Sequence, residues 1–328
     1  MVFGSCSNYL SYSGQMNANE TRSASRRAFN SFEAESAPTT LLSPLRYPGS
    51  KRRLAPFIEK IIRANGLNPD LYVEPFAGGA SVALHLLAAD AVEKIGLTDR
   101  DPLVASFWQT VFFNPGGLIR RIKRFEVTHA RWYALKKSEP RDLVDRAFKC
   151  LILNRTSFSG ILAKNAGPLG GKNPGSLELL NSRLYRSGVI ERIENAHSMR
   201  KRVAFVWNAS WDRALNIIKK RSLGRIFPKN VLYYFDPPFF EKADRLYNFF
   251  FASDEHETLR DALSVLKAPW LLSYDSPHKA RKLYSSAGVV SRSFQMTYSA
   301  SATPAFRKSE ILISNLGILP RPGAFGTS

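Results

Sequence analysis

The sequence predicts a doubly wound α/β fold, a mostly parallel sheet flanked by helices. Short apolar runs bounded by turn residues recur along the chain, as the strands of a sheet buried on both faces do. Helical stretches separate the runs, which is the alternation that builds parallel sheets. Residues suited to ligand binding fall just after the runs, at the carboxyl ends of the expected strands, where open α/β sheets bind their ligands.

The first 43 residues are rich in Ser, Asn, Thr and Ala and show no sustained apolar period, so 1–43 is expected to be a disordered extension. The folded part is expected to begin at residue 44 or 45. Strands are predicted at 71–74, 95–98, 203–207, 231–235 and 270–274, with a further candidate at 311–314. Helices are predicted at 80–89, 102–112, 212–220 and 255–266. The Pro/Gly-rich end, 319–328, reads as a flexible tail. No apolar stretch approaches the roughly 20 residues that cross a bilayer, and no secretory pattern opens the chain, so a cytoplasmic protein without membrane contact is expected.

Charge narrows the class of partner. The chain carries 47 Lys and Arg against 27 Asp and Glu, a net charge of +20. Residues 120–229 hold 25 of the basic residues and 8 of the acidic ones, so most of the excess is concentrated there. Such a segment is expected to present a polyanion-binding surface, because Lys and Arg gain free energy by displacing counterions from phosphates. The two cysteines form no CxxC pair, and the five histidines show neither HExxH spacing nor a Cys/His cluster, so no metal site or disulfide is expected.

After the first predicted strand comes Glu74-Pro75-Phe76-Ala77-Gly78-Gly79-Ala80-Ser81, a tight turn of small residues leading into a helix. Its backbone can approach a ligand closely, and the helix start offers free N–H groups. The second predicted strand ends at Asp99, placed to accept from ribose hydroxyls. The pair points to a nucleoside-containing cofactor, and the absence of GxGxxG spacing disfavours a nicotinamide enzyme.

The segment with the most chemistry is Val231 to Phe235 followed by Asp236-Pro237-Pro238-Phe239. Two prolines remove two donors and stiffen the chain, which leaves the Asp236 carboxylate and the Pro237 carbonyl as acceptors at a strand end. Such acceptors suit a planar amino group. With each of its N–H bonds accepted, the nitrogen can pyramidalise and present its lone pair in line with a sulfonium methyl. Phe239 would stack on a base, which must leave the duplex to reach it.

These blocks, with Arg46-Tyr47-Pro48-Gly49-Ser50-Lys51 before them, resemble in content and order the Dam-like family of adenine-specific DNA methyltransferases over residues 45–315. Weaker matches are 153–160, the strand end at 270–275, and 310–315. The resemblance implies a Rossmann-like class I methyltransferase fold, with catalytic parts at 44–114 and 198–318. An inserted, mainly helical DNA-recognition lobe at 115–197 would lie between them. It also implies S-adenosylmethionine as cofactor and the N6 of a flipped-out adenine in double-stranded DNA as acceptor. Tyr47, Gly49 and Lys51 would contact the cofactor, Phe76, Ala77, Gly78 and Gly79 would wrap its methionine end with Glu74 alongside, and Asp99 would hold its ribose. Asp236 would lie between cofactor and base.

Two departures stand out. The usual tyrosine of the catalytic loop is Phe239, whose ring still stacks. After Asn154-Arg155, where the family commonly places an Arg and Asn in a recognition hairpin, this chain reads Ile161-Leu162-Ala163-Lys164-Asn165-Ala166-Gly167-Pro168-Leu169-Gly170-Gly171-Lys172, so the resemblance does not extend to the family's common tetranucleotide target. Arg155, Lys164, Asn165 and Lys172 are the candidate DNA contacts in this basic stretch, with Arg200 to Arg202 and Lys219 to Arg221 as further basic clusters. Methylation of cytosine N4 or of RNA, and a catalytically lapsed binding protein, remain open. So do the oligomeric state and a cognate restriction endonuclease. A DNA-acting protein of this kind would associate with the nucleoid.

Overall fold

The computed structural model describes residues 41–46, 51–157, 160, 162–163, 166–171, 173, 175–223, 228, 230–240, 249–285, 288–298 and 306–321. Among them the strands are β1 (Leu71–Glu74), β2 (Lys94–Asp99), β3 (Val203–Asn208), β4 (Val231–Phe235), β5 (Trp270–Tyr274), β6 (Val290–Tyr298) and β7 (Phe306–Ser314). They form one sheet in the order β3-β2-β1-β4-β5-β7-β6. The first five are mutually parallel, while β7 runs antiparallel to β5 and pairs with β6 as an antiparallel ribbon.

Side-chain alternation divides each strand between two cores. Leu232 and Tyr234 of β4 face one of them, and Val231, Tyr233 and Phe235 face the other. Burial on both faces is why these strands read as unbroken apolar runs. Strand order reverses between β1 and β4, so the crevice at a switch point opens beyond their carboxyl ends, at Glu74 and Asp236.

The helices are α1 (Ala55–Ala64), α2 (Ser81–Ala88), α3 (Pro102–Phe113), α4 (Pro115–Arg124), α5 (His129–Lys137), α6 (Leu143–Thr156), α7 (Ser176–Leu184), α8 (Arg186–Ser198), α9 (Trp211–Leu223), α10 (Ser253–Val265) and α11 (Pro277–Leu283). Their starts are local chemistry. Asp101 accepts from the Leu103 N–H ahead of Pro102, Thr128 caps α5, and Asp142 accepts from both Val144 and Asp145 at the start of α6. Helices α4 to α8 follow one another without an intervening strand among the described residues. Within this group α6 is buried from Ala147 through Thr156, and Cys150 lies inside it.

The expected ends and one strand differ from the sequence expectation. Leu41 is buried at 5% exposure and Leu319 at 7%, so the core reaches past the expected ends at 44 and 318. The rest of the expected N-terminal extension, residues 1–40, and 322–328 of the tail lie outside the described residues. Strand β6 has no counterpart in the prediction, because its Ser, Arg and Gln positions break the apolar run at a sheet edge. Among the described residues no helix is long and apolar enough to cross a membrane.

Candidate active site

Strand β1 ends in Glu74, and the chain then turns sharply, with Gly78 at φ +42° and Ala80 at φ +46°. Glycine takes that backbone freely, whereas Ala80 must be held in it. The holding is visible. The Gly78 N–H donates to Asp99 Oδ2 at 2.9 Å, the Ala77 N–H donates to the Thr98 carbonyl, and Trp108 Nε1 donates to the Gly78 carbonyl at 2.8 Å. Ala80 has no side chain with which to cap α2. Buried Glu74 does it instead, accepting from the Ala83 N–H at 2.7 Å while the Tyr72 hydroxyl donates to the same oxygen at 3.0 Å. Burial lifts the Glu74 carboxyl to about 8, against the lowering effect of those two hydrogen bonds.

Asp99 is likewise engaged by its own chain. Its Oδ1 accepts from the Asp101 N–H at 2.9 Å, and burial, with Asp101 adding to it, raises the carboxyl to about 7. A carboxylate has roughly four lone-pair sites, so each oxygen can still accept from a ligand hydroxyl.

Across the crevice, β4 delivers Asp236 next to Ser273 of β5, because Phe235 pairs with Leu272. Ser273 Oγ donates to Asp236 Oδ1 at 2.6 Å and lies 2.8 Å from the Tyr234 hydroxyl. The same oxygen takes Lys51 Nζ at 3.0 Å. Lys51 sits in a 3-10 turn just before α1, its side chain is 3% exposed, and its ammonium also lies 3.7 Å from Glu310 Oε2. Burial alone would lower the Lys51 ammonium, but Asp236 and Glu310 outweigh it and hold it well above its ordinary value. Glu310 is fully buried, and burial lifts its carboxyl to about 7 even with Lys51 beside it. Phe239 lies under the same ammonium, 5.7 Å from ring centroid to Nζ. The arrangement leaves Asp236 27% exposed, one oxygen fixed and the other available to a donor entering the crevice.

A carboxylate held by a buried lysine behind a Pro-Pro turn, facing a Gly-rich turn across a switch point, is suited to polarising an amino group beside a nucleoside cofactor. The model of the D12 class of N6 adenine-specific DNA methyltransferases matches residues 47–167. That match spans a little over a third of the 328-residue chain. The match supports a site-specific DNA adenine-N6 methyltransferase that depends on S-adenosylmethionine, with the class I methyltransferase fold. Among solved structures, the precorrin-6y C5,15-methyltransferase of Geobacter metallireducens GS-15 is similar at a TM-score of 0.33 and 10% identity. The match covers 85% of this chain and 98% of that one, a likeness too distant to bear on fold or activity.

The crevice of this methyltransferase fits an adenosyl group. A cavity of about 330 Å³ has aromatic walls in Phe76, Trp211 and Phe251, and its polar groups are Arg100, Ser210, Asp212, Glu255 and Thr258. Aromatic walls with a few polar groups are what a purine and its ribose require. Asn208, near this cavity, spends its amide on the carbonyls of Asp99 and Arg100, which fixes the end of β2.

Of the site residues expected from sequence, the structure brings Lys51, Asp236 and Phe239 together, and joins Gly78 to Asp99. Pro237 is buried and Pro238 is half-buried. Arg155 is buried in α6, where it lines an arginine-rich cavity. Tyr47, Gly49, Lys164, Asn165 and Lys172 lie outside the described residues. In the basic cluster 200–202, Arg202 donates to the carbonyls of Leu87, Val92 and Glu93 and pairs with Asp90, so its role is structural. Arg221 of the other cluster lies over the Trp207 ring. Ser273 and Glu310 fall in the weaker matching blocks 270–275 and 310–315, where sequence assigned neither of them a role. Their signal was a polar residue set within, or opening, an otherwise apolar buried strand.

The buried carboxyls make a pH prediction. Glu74 has a folded pKa of about 8 against an ordinary 4.5. Its contribution to stability is therefore full below about 4.5 and is lost as pH rises through 8, on the order of 1.4 kcal/mol per pH unit between the two values. Glu74→Gln keeps an acceptor for the Ala83 N–H and the Tyr72 hydroxyl without a charge. Its urea midpoint should match that of the native chain at pH 5 and exceed it at pH 9. Equal midpoints at pH 9 would contradict the assignment.

Proposed function

We propose that Asp236 and the Pro237 carbonyl accept the two N–H bonds of the target adenine's amino group, and that Phe239 stacks on the base after it has left a DNA duplex. The reading rests on the anchoring of Asp236 Oδ1 by Lys51 and Ser273, which leaves Oδ2 as the acceptor for an incoming N–H. Bound S-adenosylmethionine supplies an electrophilic methyl group on sulfur. The protein's part is position and charge: by accepting an N–H, Asp236 leaves more electron density on the amino nitrogen and favours its pyramidal form, so the lone pair is freed from the ring, while Lys51 and Ser273 hold the carboxylate in place. Gly78 and Gly79 would line the cofactor's methionine end, and Asp99 has lone pairs left that would hold its ribose.

In this reading residues 44–114 and 198–318 form the catalytic domain, and 115–197, where α4 to α8 lie, forms the recognition lobe. The basic excess of 120–229 supports that placement. Arg155, Lys164, Asn165 and Lys172 would contact DNA from it. The protein would act at the nucleoid in the cytoplasm, and a restriction endonuclease reading the same site is a fitting partner.

The test is methyl transfer from tritiated cofactor to duplex DNA, followed by digestion to nucleosides. Label should appear in N6-methyladenosine of the deoxy series. Label in N4-methylcytosine, in RNA alone, or in no nucleic acid would overturn the reading.

A further inference from the structure

Away from the catalytic crevice, the face where residues 42–46 meet α6, α7 and α8 carries an open cavity of about 710 Å³. Five arginines line it: Arg46, Arg52, Arg155, Arg183 and Arg192. They come from four separate parts of the chain, so no helical repeat explains their convergence. Among the described residues no carboxylate lines the cavity, and none of the five is in an ion pair. Elsewhere arginines of this protein do find acids, as Arg121 finds Asp145 and Arg202 finds Asp90.

The cluster is built rather than loosely solvated. Arg155 is 6% exposed, and its Nε donates to the Arg183 carbonyl at 3.1 Å. Arg192 donates to the Ser43 carbonyl at 3.3 Å. The Arg46 backbone is clamped by fully buried Asn154, whose Oδ1 accepts from the Arg46 N–H at 2.7 Å and whose Nδ2 donates to the Arg46 carbonyl at 2.9 Å. Gly160 makes the clamp possible, since a Cβ there would fall 1.8 Å from the Arg46 carbonyl oxygen. At the rim Tyr185 is held at φ +45°, a left-handed conformation a tyrosine adopts only under constraint. Burial first, and then the neighbouring Arg46, Arg192 and Arg183, lower the Arg155 guanidinium to about 10.

Unpaired like charges gathered in a half-buried cavity are costly unless an anion joins them. Guanidinium forks match phosphate oxygens two at a time. We propose that this arginine pocket binds a backbone phosphate of the DNA substrate and so fixes the register of the duplex, without reading its bases. The inference rests on the methyltransferase reading for the identity of the polyanion.

The test uses the full chain with R183Q/R192Q and, as a charge-retaining control, R183K/R192K. Binding to a duplex containing the methylated site and to one lacking it is measured across a salt series. For R183Q/R192Q both affinities should fall by a common factor, and the salt slope should shrink by about 1 to 2. KM for DNA should rise more than kcat falls, while cofactor affinity holds. R183K/R192K should keep most of the slope. An unaltered slope in R183Q/R192Q, or weakening confined to the site-containing duplex, would overturn the proposal. So would unchanged DNA binding if inorganic phosphate raises the melting temperature of the native chain but not of R183Q/R192Q, which would mark a free-anion site. If the native chain methylates no DNA, the functional reading fails. If it does and R183Q/R192Q binds DNA like the native chain, only the pocket assignment fails.

Discussion

Asp236→Asn should lower the methyl-transfer rate by about 10² to 10⁴-fold, the range that loss of one positioned hydrogen-bonding group at a reacting centre produces. The geometry sets the direction. Ser273 Oγ and Lys51 Nζ are both donors, and both point at Asp236 Oδ1. An asparagine must offer them its carbonyl oxygen, which turns its NH2 toward the crevice. The amino group of the substrate then meets a donor where it needs an acceptor. Folding should survive, since Glu310 remains at 3.7 Å to balance Lys51. Single-turnover transfer measured beside DNA binding separates the two effects, and an Asn variant with native turnover would remove Asp236 from the chemistry.

The parts of this site that sequence made legible were those whose physics is local. The β4 run and the two prolines announce a strand end with bare acceptors, and the Gly-Gly turn followed by Asp99 announces a βαβ ligand site. Strands β1 to β5 were legible for the same reason, because burial on both faces leaves no room for polar interruption. What remained hidden depends on the third dimension. Glu310 is 259 positions from Lys51 in the chain and reaches it only because β7 inserts antiparallel beside β5, with Ile311 opposite Tyr274. The arginine pocket was equally invisible. Arg46, Arg155, Arg183 and Arg192 are scattered singly, whereas contiguous clusters such as 200–202 catch the eye and prove to be partly structural. Long-range convergence of like charges leaves no periodic trace in sequence.

The lysine itself offers the sharpest test of how the carboxylate is held. Lys51→Met removes the one cation within ion-pair distance of both Asp236 and Glu310 among the described residues. Breaking a buried pair from one side costs roughly 3–5 kcal/mol, because the remaining charge is left buried. Glu310 already has a folded pKa of about 7, and Lys51 is a factor lowering it, so loss of the ammonium moves it higher. With the folded value above the ordinary 4.5, stability is fully present below the latter and is lost as pH rises through the former. The Met variant should therefore fold nearly as well as the native chain at pH 5 and much less well at pH 9. Transfer should fall at every pH, since Asp236 loses the contact that orients it. Adding Glu310→Gln relieves the buried charge but restores no partner to Asp236. The double variant should regain most of the lost stability at pH 9 and little of the rate, a non-additive pair expected of side chains in direct contact. Recovery of turnover along with stability would show that Lys51 serves the fold alone, and chevron midpoints with single-turnover rates at the two pH values decide between these outcomes.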